Sequence, residues 1–211
     1  MNYLEKFKDI KEEIYSIKKN AKLIVATKNQ TFEKILDVIN LGHLDFGENR
    51  IQEAKNKWSS YLKINNNIKL HLIGKLQSNK VKEAFDLFTF VHTLDNEKLA
   101  KKFSELEKQS DKKIKYFIQV NIGEEQQKNG IAIDSLKDFV NLCRNDMKLN
   151  IIGLMCIPPM QLDPIPFFKI MQDLNIKNNL LELSMGMSSD YKEALANGST
   201  FTRIGSAVFS K

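Results

Sequence analysis

The chain has 211 residues, 42% of them apolar, with 32 Lys and Arg against 26 Asp and Glu for a formal net charge of +6. This composition excludes a disordered chain and is long enough for one domain with its own core. The basic excess does not by itself mark a nucleic-acid or membrane binder, because the lysines are interleaved with Glu and Asp and no run of five like charges occurs.

Residues 3–19 set Leu4, Phe7, Ile10, Ile14 and Ile17 three or four apart, which predicts an amphipathic helix with one buried stripe. The start, MNYLEKFKDIKEE, carries charges every few residues and no apolar stretch, so it does not read as a signal peptide. Eight short apolar runs follow: KLIVAT (22–27), HLDFG (43–47), KLHLIG (69–74), LFTFVHT (87–93), KYFIQVNI (115–122), NIIGLMCI (150–157), LLELSMG (180–186) and TFTRIG (200–205). Helical segments separate them. FEKILDVINLG stops at Gly42, Asp95 stands as N-cap of the next, Asp134 opens DSLKDFVNLCRN, prolines open PIPFFKIMQDL, and SSDYKEALANG closes at Gly198. Strands alternating with helices eight times predict a parallel sheet, and the count favours a single (β/α)8 TIM barrel over an open doubly wound sheet. The last run is followed only by SAVFSK, too short for a full outer helix, so the N-terminal helix is expected to fill that place. With no linker in view, residues 1–211 are read as one domain.

Cys143 and Cys156 form no CxxC and lack a His at zinc-ligand spacing; they read as buried free thiols, which fits a reduced, cytoplasmic setting. His43, His71 and His92 fall at unrelated spacings, a structural role is expected for each, and no metal site is expected. In a barrel of this kind, function sits at the C-terminal ends of the strands. There the chain places Lys28, the Glu48–Asn49 pair, the turn SMGMSSD with Ser184, Gly186 and Ser188, and Arg203 leading into IGSA with Gly205 and Ser206. Two Gly-Ser turns after the last two strands suit an anion such as a phosphate. Ser188 and Asp190 also read as caps of the following helix. Arg203, inside an apolar strand, needs either a buried acid, Glu48 or Glu182, or a ligand. Lys28 reads as the first solvated residue after its strand or as a nucleophile toward a carbonyl.

The segments VATK, DFGENRIQE, HLIGKLQSNK, IQVNIGEEQQKNGI, GLMCIP, LSMGMSSD and GSTFTRIGSAVF, in this order over residues 22–209, resemble the YggS/PROSC-type pyridoxal phosphate homeostasis proteins. The resemblance implies a barrel like the N-terminal domain of alanine racemase. It also implies pyridoxal 5′-phosphate held as a Schiff base on Lys28, with Arg203 facing the pyridine nitrogen and Asn49 lining the cofactor. Ser184, Gly186, Gly205 and Ser206 are then the candidates to bind its phosphate. The chain departs from the family where Gln30 replaces a frequent second lysine and Lys75 a common histidine. The function expected is non-catalytic: a carrier in intracellular cofactor homeostasis, with apo pyridoxal phosphate enzymes as transient partners, no nucleic-acid or membrane partner, and a monomeric state. The alternative is a racemase-like enzyme acting on amino acids. It needs a base on each face of its substrate, and the chain ends soon after the eighth run, without residues to build a second domain.

Overall fold

The computed structural model describes residues 2–125, 127 and 129–210. Eight parallel strands close into a barrel in chain order, β1 (Lys22–Ala26), β2 (Asp45–Glu48), β3 (Lys69–Leu72), β4 (Phe90–Leu94), β5 (Lys115–Gln119), β6 (Asn150–Met155), β7 (Glu182–Ser184) and β8 (Phe201–Ile204). Each lies within one of the eight apolar runs or within one residue of it. The seam pairs β1 with β8, matching Lys22 to Phe201 and Ile24 to Arg203. Alternate residues of each strand point inward, and Ile24, Phe90, Phe117, Met155 and Phe201 form the apolar plug of the barrel. The other face of the sheet joins the helices in a larger core that includes Trp58, Phe103, Tyr116 and Phe168.

The outer layer comprises α2 (Phe32–Asn40), α3 (Ile51–Trp58), α4 (Val81–Leu87), α5 (Glu97–Lys108), α6 (Leu136–Asn141), α7 (Ile165–Lys177), α8 (Tyr191–Ala196) and the one-turn α9 (Ser206–Phe209), preceded by α1 (Tyr3–Ile17). As expected, α1 packs beside α8 and α9, in the place of a missing outer helix. Its Asn2–Glu5 capping box ties off the first turn. Phe7 and Ile14 are buried and Leu4 and Ile10 partly so, whereas Ile17, the end of the expected stripe, is 42% exposed. Gly42 follows α2 with φ +78°, donating to Ile39 O at 2.8 Å, as a stop residue should.

Three expected caps are corrected. Asn96, not Asp95, caps α5, accepting from Leu99 N at 3.0 Å, while Asp95 accepts from the Asn96 amide. Asp134 lies in a 3₁₀ turn (Ile133–Ser135) before α6, which continues into a π turn (Leu142–Asp146). Asp190 stands before α8 but accepts from Met187 N at 2.6 Å, closing the preceding turn and not capping the helix.

Candidate cofactor site

A pocket of about 330 Å³ opens at the C-terminal ends of β1, β2 and β8. Lys28, Asn49, Arg203, Gly205 and Ser206 line it, as do Ser188 and Ser189 of the turn after β7; Ala26, Ile73, Ile157 and Met187 supply the apolar wall. Of the seven residues singled out in the sequence, five therefore meet in one cavity. Ser184 and Gly186 do not line it. Ala26, Ile73, Ile157 and Met187 were missed, since an apolar residue at a strand end carries no signal apart from its register, and Ser189 was passed over beside Ser188.

Lys28 is exposed at the rim, and its neighbours are fixed on both sides. Thr27 donates through N to Gly47 O (2.9 Å) and through Oγ1 to Glu48 Oε1 (2.7 Å), and its carbonyl accepts from Lys57 Nζ (2.7 Å). On the other side Asn29, at φ +59°, donates through N to Glu53 Oε1 at 2.7 Å. Burial pushes the Glu53 carboxyl upward, but the Asn29 amide and Lys57 outweigh it and hold the group below the usual carboxylate range. Glu48, fully buried, thus serves Lys57 (2.9 Å), Trp58 Nε1 (2.9 Å) and Thr27, and is not the partner expected for Arg203.

Arg203, only 5% exposed, meets neither suggested acid. Its guanidinium donates to Ser184 Oγ at 2.6 Å and to Cys156 O at 2.9 Å. Burial pushes the guanidinium below its ordinary value, but it remains a donor-only group with five N–H bonds. Ser184 is fully buried beneath the pocket floor, so it holds Arg203 from below. Cys156 and Cys143 are buried free thiols, both pushed up to about 12 by burial, which keeps them unreactive.

The two Gly-Ser turns touch. Ser188 Oγ accepts from Ala207 N at 3.1 Å, so it braces the start of α9 and does not cap α8. Gly186 has φ +89°, and a Cβ there would lie 2.7 Å from Ala194 Cβ, so a side chain would push this turn off α8. At Gly205 a Cβ would come within 3.0 Å of Ala26 O, so the bare backbone lets the β8 turn close on β1. Lys75 lines a neighbouring cavity with Arg50 and Lys80 that shares Asn49 with the pocket. Gln30 lines neither. Among the described residues no cluster of His, Cys, Asp and Glu is placed to hold a metal ion.

Residues 7–211 match the family model described as alanine racemase, N-terminal domain. The chain is 32% identical over 200 residues to the pyridoxal phosphate homeostasis protein of Aquifex aeolicus, covering 90% of this chain and 87% of that one. It is 35% identical over 202 residues to the protein of that name from Vibrio cholerae, covering 91% and 86%. PipY of Synechococcus elongatus PCC7942, solved with PLP bound, superimposes with a TM-score of 0.88 at 29% identity, over 99% of this chain and 100% of that one. The alanine racemase of Corynebacterium glutamicum shares the fold, with a TM-score of 0.71 at 16% identity over 62% of its own length. A closed eight-stranded barrel of the alanine racemase N-terminal type, matched over 90% and 91% of the chain by the two homeostasis proteins, places the chain in the pyridoxal phosphate homeostasis protein family.

Proposed function

We propose that the chain binds pyridoxal 5′-phosphate at the barrel mouth and acts as a non-catalytic carrier in its intracellular homeostasis. Its relatives' names and the PLP-bound PipY structure support the cofactor. The pocket fits such a group: its volume of about 330 Å³ is at the small end of ligand sites, and an amine, a buried guanidinium and two touching Gly-Ser turns face it. When bound, the cofactor supplies an electrophilic aldehyde. Lys28 Nζ is the amine that would hold it as a Schiff base, a link that an incoming amine can exchange. Arg203 presents N–H donors to the ring and gives up no proton, which leaves the ring nitrogen unprotonated. Asn49 borders the ring. Gly205, Ser206 and Ser188 receive the phosphate, Gly186 shapes their turn, and Ser184 steadies Arg203.

One observation carries the non-catalytic reading. Lys28 and Arg203 are the only titratable side chains among the described residues lining the pocket. Racemisation needs a base on each face of the substrate, and this mouth offers one amine. The relatives named for homeostasis are matched over most of their length, the racemase over 62% of its own. We place the protein in the cytoplasm as a monomer that passes the cofactor transiently to apo enzymes. Among the described residues no helix is long and apolar enough to cross a membrane.

The test is reductive trapping. Borohydride should fix one cofactor mass on the peptide carrying Lys28, and Lys28→Ala should abolish the adduct. With D- or L-alanine in deuterated water, α-proton exchange should not exceed that of free pyridoxal phosphate. Exchange well above it, lost in Lys28→Ala, would favour the racemase-like enzyme. A protein that takes up no cofactor would refute the reading altogether.

A further inference from the structure

Arg203 carries a positive charge inside the barrel, and no carboxylate is bonded to it among the described residues. Below it an unbroken series of hydrogen bonds runs down the barrel axis. Arg203 Nη1 reaches Ser184 Oγ at 2.6 Å, Ser184 Oγ lies 2.9 Å from His92 Nδ1, His92 Nε2 lies 3.0 Å from His71 Nδ1, and His71 Nε2 lies 3.1 Å from Asp45 Oδ1. The members come from β8, β7, β4, β3 and β2. Ser184, His92 and His71 are fully buried, whereas the Asp45 side chain keeps 17% of its surface at the base of the barrel. Phe90 stacks on His71 (ring centroids 4.2 Å apart) and Phe117 on His92 (4.3 Å), so apolar rings sheathe the series.

The two ends dictate its direction. A guanidinium only donates, so Ser184 accepts from Arg203 and its own hydrogen turns to His92 Nδ1. A neutral His92 then carries its hydrogen on Nε2 and donates to His71 Nδ1. His71 in turn donates from Nε2 to Asp45, and an ionised carboxylate only accepts. The reverse order would set a bare His71 nitrogen against the carboxylate unless Asp45 were protonated. Burial pushes Asp45 upward, but His71, Lys69 and His43 hold it below its ordinary value. Burial pushes both imidazoles below theirs, aided at His92 by Arg203, and at His71 by Lys22 and Lys69 against the pull of Asp45.

We propose that Asp45, His71, His92 and Ser184 form one directed donor chain that positions Arg203 in the pocket and gives it a counter-charge at the opposite end of the barrel. Its purpose rests on the reading of Arg203 as a cofactor contact; its direction does not. All four are positioning residues, none of which lines the pocket. A residue at the base of the barrel therefore helps set the grip at the mouth.

The test begins with the ligand-free protein carrying isotope-labelled histidine. The chain has only three histidines, so removing each in turn assigns the spectra. Long-range proton–nitrogen correlations should show His71 and His92 neutral, each with its hydrogen on Nε2. A hydrogen on Nδ1 of either, or an imidazolium at neutral pH, would overturn the directed chain. Asp45→Asn keeps an acceptor and should preserve both tautomers. Asp45→Leu removes it and should lose the fixed tautomers and release bound pyridoxal phosphate about tenfold faster. If Asp45→Leu does not fold, Ser184→Ala, which breaks the chain nearer the mouth, should free the His92 tautomer and speed release to a similar extent. Scrambled tautomers with release unchanged would reduce the chain to packing and overturn the positioning role. Native protein that takes up no cofactor would overturn the cofactor reading and the positioning role with it, while the tautomers still decide the direction.

Discussion

Glu48 ends β2 with a carboxylate whose Oε1 accepts from Thr27, Lys57 and Trp58, and whose Oε2 has no partner among the described residues. Removing the carboxylate leaves the buried Trp58 Nε1 and Thr27 Oγ1 without an acceptor, whereas Lys57 keeps Glu53 Oε1 at 3.0 Å and is not stranded. Glu48→Ala should therefore cost about 1–3 kcal/mol in urea unfolding. Glu48→Gln, which keeps an acceptor for both donors, should recover most of that. A loss below about 1 kcal/mol in Glu48→Ala would mean that water replaces the carboxylate. Since the same oxygen holds Thr27 beside Lys28, the alanine variant should also loosen the rim of the pocket.

At the level of elements, α1 is bound to the barrel by both contacts and charge. Phe7 is 1% exposed and meets His43 edge-on at 5.2 Å, Lys6 Nζ reaches Ser210 O at 2.8 Å, and Lys18 Nζ reaches Gly198 O at 2.9 Å. Phe7→Ala should lower stability by about 3–5 kcal/mol, measured by chemical denaturation. A loss under about 1 kcal/mol would make α1 an appendage that the barrel does not need. The periodicity of this helix, the eight runs and the two Gly-Ser turns were all legible, because period and turn chemistry are local properties of a sequence. The donor chain below Arg203 was not. His71 and His92 are 21 positions apart and become neighbours only because β3 and β4 pair His71 with Phe90. Strand register is a three-dimensional quantity that spacing along the chain does not carry. Of the two partners considered for Arg203, the acid is absent: the structure satisfies the guanidinium with a hydroxyl and a carbonyl, neither of which charge alone would have suggested. Ser184 was noticed for its hydroxyl, but its burial could not be read from the turn.

For the whole molecule, three buried histidines set the response to acid. Burial lowers His43 from 6.5 to about 4, and His71 and His92 are also depressed. Above pH 6.5 neither the folded nor the unfolded chain protonates these rings, and they impose no pH dependence. As pH falls from 6.5 towards 4, the unfolded chain takes up protons that the folded barrel refuses, so stability is lost. His43 alone contributes a loss on the order of 3 kcal/mol across that window. Urea midpoints at about pH 7 and about pH 5 should differ accordingly, with proton uptake on unfolding at the lower value. A flat profile would show that the interior admits the charged rings. We expect the chain to unfold in one cooperative step, as a single domain would.

The pocket draws Lys28 from the first strand and Arg203 from the last, on strands that are neighbours only once the barrel shuts. On a ribosome making about 5–20 residues per second, the arginine follows the lysine by 203 − 28 = 175 residues, a delay of about 10–35 s. On the proposed reading of the site, a growing polypeptide thus displays the amine long before it has the arginine. The pocket itself is therefore a mark of completed synthesis, since a message cut short before the eighth strand yields a product without Arg203, Gly205 and Ser206 in its wall.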